Sequence, residues 1–235
     1  INVSQPNAEW QTLPTAPTVP RQEEAASRMP DGSIVFTGGF NNAWKAQGAP
    51  QRTYADAYRL FRTSGDGFQW ERLPVDLPFP INGHGLASIG SKLYLSGGDF
   101  DENEDMQTYG SMLHVLDTSN LTAGWRRLPD CPGTPRVGHS LTPVQGKLFV
   151  LGGDARSGPA EDCWKFDPVL RTWTRLPDIP LPNPAKTNGD AAFMDRFIVL
   201  VGGAANFNTT TVPNNSKGPY PHRPSFIPNG VIDGK

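Results

Sequence analysis

Acid–base chemistry needs a group that exchanges protons, and two neighbouring glutamates early in the chain supply one. Glu23 and Glu24 follow Arg21 closely, and Arg136 begins a similar polar stretch further along. A carboxyl group can give and take a proton, while an arginine can hold a substrate carboxylate through paired hydrogen bonds. If the protein is an enzyme, these four residues are its catalytic candidates.

Two histidines occupy matching positions, because His84 and His139 each lie thirteen residues before a Gly-Gly pair. Two further Gly pairs have Ala25 and Gly189 at that distance. Since the histidine recurs with the scaffold, a hydrogen bond within its own repeat unit is favoured over catalysis.

An acidic stretch follows the second Gly pair, with five carboxylates in the seven residues 99–105. Several carboxylate oxygens suit calcium, but the spacing does not match an EF-hand loop, so a solvated acidic loop is favoured. The sequence contains no G-x-S-x-G, no H-E-x-x-H, no phosphate-binding loop and no pair of closely spaced C-x-x-C motifs. We therefore expect neither a metal nor a cofactor.

Two motifs recur in phase along the chain and define its organisation. The first is a Gly pair that ends an apolar run, and the second is Trp-x-x-Leu-Pro, which begins 27 to 29 residues before each pair. The pairs are Gly38-Gly39, Gly97-Gly98, Gly152-Gly153 and Gly202-Gly203, and the tryptophans are Trp10, Trp70, Trp125 and Trp173. Apolar runs bounded by turns predict short buried strands, and no long segment has a helical period. Each unit is therefore predicted to contain four strands, a to d. The glycines and tryptophans of the two motifs are expected to have structural roles.

This pattern resembles the kelch repeat, with the Gly pair after strand b and the tryptophan in strand d. The resemblance covers residues 10–203 and implies an all-β propeller of four-stranded blades around a channel. The predicted blades lie at about 21–74, 82–129, 136–177 and 187–203, with an unmatched strand d at 9–14 and a long loop or irregular tail at 204–235.

The unmatched ends allow two interpretations of this single propeller domain. In the first, strand 9–14 closes a four-bladed ring and strand c of the fourth blade lies within 225–233. In the second, the chain is a fragment of a six- or seven-bladed ring. The second is favoured, because the last repeat stops in mid-blade and is not adapted as a cap.

The loops that join strands d to a and b to c gather at one end of a propeller, at the mouth of its channel. The polar residues predicted there are the candidate binding residues: Asn82, His84, Asp99, Asp101, His139, Arg156, Lys186 and Asn188. With no catalytic constellation, the favoured function is a binding or structural module that presents this loop face to a protein or glycan partner, or to the remainder of its own propeller.

The alternative function is a sugar-acid enzyme. Leu-Pro-Phe-Pro at 77–80, leading into a glycine-rich strand, resembles the kelch-type sialic acid mutarotases. That resemblance implies anomerisation of N-acetylneuraminate by an acid–base pair, for which the glutamates and arginines described above are the candidates.

Charge and hydropathy exclude two classes of partner. The 21 basic and 23 acidic side chains leave a net charge of −2, which argues against a nucleic-acid partner. The longest apolar run, Phe197–Val201, is far shorter than the ~20 residues of a membrane span.

Cysteines and glycosylation sequons bear on the compartment. Cys131 and Cys163 are interpreted as two free thiols, although one disulfide remains conceivable. Asn-x-Ser/Thr sequons, which are glycosylation candidates, begin at Asn2, Asn120, Asn208 and Asn214. These sequons weakly favour a secreted protein, and the sequence offers no other indication of localisation.

Overall fold

The computed structural model describes residues 9–41, 52–65, 67–100, 109–155, 158–179, 187–204 and 231–233, together with Ser4, Asn7 and Gly48. Only the backbone is described at 187–190, 201–204 and 231–233. Regular structure in this part of the chain is β-strand apart from one 3-10 turn, Leu121–Ala123, so the all-β prediction is confirmed. No helix among these residues is long and apolar enough to cross a membrane.

The strands form consecutive antiparallel sheets, each built from neighbouring segments of the chain. The first contains β1 (Ala25–Arg28), β2 (Ile34–Thr37), β3 (Ala57–Arg62) and β4 (Phe68–Arg72), and the second contains β5 (Gly85–Ile89), β6 (Lys92–Ser96), β7 (Leu113–Asp117) and β8 (Arg126–Leu128). The third begins with β9 (Ser140–Val144) and β10 (Lys147–Leu151) and, after a small hairpin of β11 (Asp154–Ala155) and β12 (Gly158–Pro159), ends with β13 (Cys163–Asp167) and β14 (Thr172–Leu176).

The fourth sheet has three strands among the described residues, β15 (Thr187–Met194), β16 (Phe197–Ala204) and β17 (Val231–Asp233). β17 lies within the stretch that the four-bladed interpretation assigns to strand c. Residues 9–14, by contrast, form no strand, which corrects that expectation. No described strand forms a β-ladder with this segment, and Trp10 is 85 % exposed.

Side chains alternate between the two faces of each sheet, and the faces that successive sheets turn towards each other pack together. We call the face towards the preceding sheet the leading face and the other the trailing face. Leu93 and Leu95 on the leading face of the second sheet pack in one cluster with Val35 and Ala57 from the trailing face of the first. The next two interfaces repeat this arrangement, so the core is a series of layers between sheets.

The Gly pairs lie where one sheet meets the next. The amide of Gly39 donates a hydrogen bond to the carbonyl of Ile81, and that of Gly98 donates to Arg136, at 2.8 and 2.9 Å. Gly38 has a φ of 65°, and a Cβ there would lie 2.5 Å from the Ile81 oxygen. Both the left-handed backbone and the close approach require glycine.

The strand-d tryptophans make a second recurring contact. The indole N–H of Trp173 donates to the Pro129 carbonyl at 2.8 Å, and that of Trp70 donates to the Pro14 carbonyl at 2.9 Å. Pro129 ends strand d of the preceding sheet, so Pro14 lies where the end of another strand d would lie. Trp125 does not repeat the bond, since its buried indole N–H has no partner among the described residues.

Candidate functional site

Arg21 and Arg136 make the same set of contacts in two different sheets. Arg136 donates to the Gly152 carbonyl at 3.1 Å and to a carboxylate oxygen of Asp162 at 2.6 Å. Arg21 repeats this with the Gly38 carbonyl at 3.1 Å and Asp56 at 2.5 Å. Both guanidinium groups therefore tie a Gly pair to the start of strand c, which leaves them poorly placed to bind a substrate carboxylate.

The two repeated histidines bridge neighbouring sheets, whereas the sequence suggested a bond within one repeat. His84 Nε2 lies 2.8 Å from the Thr37 hydroxyl of the first sheet, and His139 Nε2 lies 2.8 Å from the Ser96 hydroxyl of the second. Desolvation by burial lowers the pKa of each imidazole to about 3, with Arg136 adding to the effect at His139. Both rings are therefore neutral, and their role is to join sheets.

The residue equivalent to these histidines in the first sheet is Glu24, not Ala25. A Cβ at Gly98 or Gly153 would meet the β-carbon of the histidine of its own sheet, His84 or His139, at 2.8 Å, and at Gly39 it would meet Glu24 Cγ at 2.6 Å. Counting thirteen residues back from Gly38 selects Ala25 instead of Glu24, because the turn between β1 and β2 is longer than the corresponding turn in the other sheets.

Glu23 occupies a backbone position where the next two sheets have glycine. The Gly83 amide donates to the Glu23 carbonyl at 3.0 Å, and the Gly138 amide donates to the Gly83 carbonyl at 2.7 Å. These three residues have φ values of 57°, 56° and 62°. The left-handed region is unfavourable for a residue with a Cβ, so Glu23 is a strained exception to the repeat.

The side chain of Glu23 lies among polar groups near the start of the b–c loops, which is the predicted mouth of the channel. Although the residue as a whole is exposed, a Cβ at Gly83 would lie 3.1 Å from Glu23 Oε2, so the carboxylate lies against the backbone of the second sheet. Partial burial of the carboxyl raises its pKa, nearby Asp99 raises it further, and Arg52 opposes them.

Tyr109 and Asp154 join this group from the second and third sheets. Burial raises the pKa of Tyr109 to about 12, and the carboxylates of Asp154, Asp99 and Glu23 contribute. The pKa of Asp154 is raised by burial and opposed by its hydrogen bond with Tyr109. We call Glu23, Asp99, Tyr109 and Asp154 the mouth cluster. It gathers three carboxylates and a phenol at the predicted mouth of the channel, and Asp99 among them is buried.

Comparison with known proteins identifies the repeat. A family model described as the KLHDC2/KLHL20/DRC7 Kelch-repeats domain matches residues 47–214, more than half of the chain. The chain belongs to the kelch-repeat family. Its sheets are blades of a kelch β-propeller, which confirms the resemblance and the fold class inferred from the motifs.

Two relatives and one solved structure are similar to most of this chain. An N-acetylneuraminate epimerase of Haemophilus influenzae is 26 % identical over 240 residues, covering 88 % of this chain and 62 % of that protein. Human Kelch domain-containing protein 3 is 28 % identical over 213 residues, covering 84 % and 52 %. The solved structure of YjhT covers 83 % of this chain and 63 % of its own, with a TM-score of 0.67 and 18 % identity, and shows the same fold. The chain thus spans about half to two thirds of the length of these relatives.

The structure brings together only some of the residues that the sequence suggested for binding. Asn82 is buried and exchanges backbone hydrogen bonds with Asp99, next to the mouth cluster. Asp101, Arg156 and Lys186 lie outside the described residues, as do Asn2, Asn208 and Asn214, and Asn188 is described only in its backbone. Of the sequons, Asn120 is exposed, and its side-chain oxygen accepts a hydrogen bond from Thr122.

The sequence analysis did not single out Tyr109, Arg52 or Asp154. The sequence did contain one indication of the two aspartates, because Asp99 and Asp154 each directly follow a Gly pair.

In the described part of the kelch chain, no three His, Cys, Asp or Glu side chains form a group that could hold a metal ion. Cys131 and Cys163 are free buried thiols, and burial raises their pKa values to about 11 and 12.

The inter-blade histidines predict an acid-sensitive fold. Each has a folded-state pKa near 3, below its free value of 6.5, so between these limits the unfolded chain binds more protons. Stability is therefore complete above pH 6.5 and declines as the pH falls towards 3. We expect a loss of about 1.4 kcal/mol per pH unit for each histidine between pH 5.5 and 4.

Urea unfolding at a series of pH values measures this dependence in the natural chain and in the double variant His84→Gln/His139→Gln. Glutamine keeps a polar group beside each hydroxyl and does not titrate. The variant should have a shallower slope of unfolding free energy against pH. Equal slopes would mean that the histidines are not buried between blades.

Proposed function

We propose that this kelch propeller is a binding module that presents the mouth cluster and the surrounding loops to a protein or glycan partner. The observation that carries the proposal is Glu23, which holds a left-handed backbone where the next two blades have glycine. Glycine would relieve that strain, so the carboxylate there is retained at a cost of about 1–2 kcal/mol.

The chemistry of the mouth cluster indicates what the partner must carry. Three carboxylates and a phenol lie near one another, and the pKa of Glu23 is raised by its burial and by Asp99. Carboxylates accept hydrogen bonds from sugar hydroxyls and from cationic side chains. The partner is therefore a donor-rich glycan or a protein segment with lysine or arginine.

A second candidate function is a sugar-acid epimerase, and the similarity to N-acetylneuraminate epimerase over 88 % of this chain favours it. The raised pKa of Glu23 also suits a proton-transfer group. The arginines do not suit an epimerase, because Arg21 and Arg136 form ion pairs with Asp56 and Asp162 and their side chains are mostly buried. The candidate would need another cation for the substrate carboxylate.

Two substitutions at Glu23 test the binding proposal. Glu23→Gln removes the charge and keeps the size, and Glu23→Gly removes the side chain and relieves the backbone. Both should weaken binding about tenfold or more, as expected when a charged hydrogen bond is lost. Glu23→Gly should also leave the unfolding free energy unchanged or raise it by about 1 kcal/mol.

Binding is measured against immobilised neutral oligosaccharides, sialylated oligosaccharides and short basic peptides. Val169→Ser is the matched control, because Val169 is 86 % exposed in the β13–β14 turn at the opposite end of its blade. The control should bind like the natural chain. Binding that Glu23→Gln leaves intact, or an absence of binding to all three probes, would contradict the proposal.

The epimerase candidate is tested by exchange between the anomers of N-acetylneuraminate, followed by NMR. We expect the natural chain to leave the exchange rate at its uncatalysed value, because the two buried arginines are not available to the substrate. Acceleration that Glu23→Gln abolishes would replace the binding module with the enzyme.

A further inference from the structure

We infer that a basic protein segment docks at the loop face of the second blade, with an arginine guanidinium over the rings of Phe79 and Phe100 and its N–H groups directed to the mouth cluster. This inference rests on the proposed function, because it names the partner of the same site. We call Phe79, Phe100 and His114 the aromatic corner. Phe79 lies between β4 and β5, Phe100 follows the second Gly pair, and His114 belongs to β7.

The three rings of the aromatic corner pack against one another. The ring centroids of Phe79 and Phe100 lie 5.8 Å apart, with 51° between the ring planes. The ring of Phe79 also lies 5.7 Å from the imidazole of His114, at 78°. Both phenylalanines are only partly buried. Because neighbouring rings already hold them, they offer a contact surface to a ligand at little cost in conformational entropy.

The aromatic corner borders the mouth cluster. Phe100 directly follows Asp99, and the two residues Asp99 and Tyr109 form a backbone bridge. A Cβ at Gly110, the residue after Tyr109, would lie 3.2 Å from Phe100 Cε1. A ligand that covers the Phe100 ring can therefore extend a charged group to the neighbouring carboxylates.

The charge beside the aromatic corner is negative. The mouth cluster contains three carboxylates, and Arg52 is the cation whose charge lowers the pKa of Glu23. Four more carboxylates follow Phe100 in the sequence, within residues 101–105. A cationic partner is complementary to this charge, and opposite charges also speed the encounter of two proteins.

The rings of the aromatic corner lack a cation that other rings of this protein have. Arg21 lies over Tyr54, with 3.9 Å from the guanidinium carbon to the ring centroid, and Arg52 lies over Phe40 at 4.9 Å. Among the described residues, no arginine or lysine lies over either phenylalanine of the corner in this way. An arginine from outside the chain can take this place, since a cation is attracted to the face of an aromatic ring.

Beneath these rings the second blade lacks a polar partner that the third blade has. There Trp164, the counterpart of His114, donates its indole N–H to Asp162 at 2.6 Å. The second blade has Met112 at the position of that aspartate, two residues before the imidazole. His114 is 8 % exposed, and its Nδ1 has no hydrogen-bond partner among the described residues. The aromatic corner therefore holds a buried polar atom that the described part of the chain leaves unsatisfied.

The imidazole of His114 does not repel a cation. Burial lowers its pKa below the free value of 6.5, and the charge of Arg127 lowers it further, while Asp130 opposes this change. The ring is therefore neutral at pH 7, and a neutral imidazole has one nitrogen that accepts a hydrogen bond. Arginine carries only donors, and its planar guanidinium can stack on a ring while its edge donates to acceptors.

The first experiment needs no variant of the protein. Three short peptides with blocked ends are identical except that they carry arginine, lysine or citrulline, and fluorescence anisotropy measures their binding to the natural chain. Citrulline keeps the shape of arginine without its charge. The arginine peptide should bind about tenfold more tightly than the citrulline peptide, and more tightly than the lysine peptide. Equal affinities of the arginine and citrulline peptides would overturn the inference.

Substitutions at Phe100 test the ring itself. Phe100→Leu keeps an apolar side chain without a ring and should weaken binding of the arginine peptide about three- to tenfold. Phe100→Trp should bind this peptide at least as tightly as the natural chain does, because tryptophan has the most favourable ring for a cation. Phe68→Leu is the matched control and should leave binding unchanged, because Phe68 is 39 % exposed at the start of β4, at the opposite end of its blade.

The inference and the proposed function fail in different ways. If Glu23→Gln weakens binding of the arginine peptide and Phe100→Leu does not, the inference is overturned and the binding module stands. If Phe100→Trp loses as much binding as Phe100→Leu, the ring only supports its loop, and the inference is again overturned. Binding of oligosaccharides without binding of the arginine peptide would make the partner a glycan. An absence of binding to every probe would contradict both proposals.

Discussion

The close approach of the first two Gly pairs to the blade after them is the contact on which the rest of this structure depends. In each of these pairs the second glycine donates its amide to the carbonyl at the start of the following blade, and the first would clash there if it carried a Cβ. The same backbone turn ends strand b and directs the chain into its b–c loop. One pair of residues therefore fixes both the packing between blades and the direction of the loops.

The mouth cluster follows from this contact. Because the Gly pairs hold successive strands a in register, Glu23, Gly83 and Gly138 form a ladder of backbone hydrogen bonds around the channel. Their carbonyls and amides satisfy one another, but the positive φ disfavours a side chain at this position, and at Gly83 a Cβ would lie 2.2 Å from Val137 Cγ2. The first blade carries a carboxylate here despite that strain, and Asp99 and Asp154, each directly after a Gly pair, approach it from neighbouring blades.

The regular spacing of the two motifs was enough to predict the kelch fold, since each Gly pair follows a tryptophan at a nearly constant distance. It was not enough to predict how individual polar residues are used. Arg136 and His139 looked like candidate site residues, yet both serve the scaffold, because Arg136 binds Asp162 of its own blade and His139 contacts Ser96 of the preceding blade, residues that lie far from them in sequence. Glu24 was aligned with the wrong neighbours, because a longer turn in the first blade shifts the count by one residue. Tyr109 reaches the mouth cluster from a loop that carries no repeated motif.

Substitution of two glycines with nearly the same backbone conformation tests the central contact most directly. Gly97 and Gly90 have φ values of 55° and 56°, but a Cβ at Gly97 would lie 2.5 Å from the His139 ring and 2.9 Å from the Arg136 carbonyl, while at Gly90 it would meet nothing within 4 Å. Urea unfolding of Gly90→Ala should show a loss of about 1 kcal/mol, the cost of a left-handed alanine. Gly97→Ala should lose about 3 kcal/mol or more, because the next blade must move. Equal losses for the two variants would contradict the account.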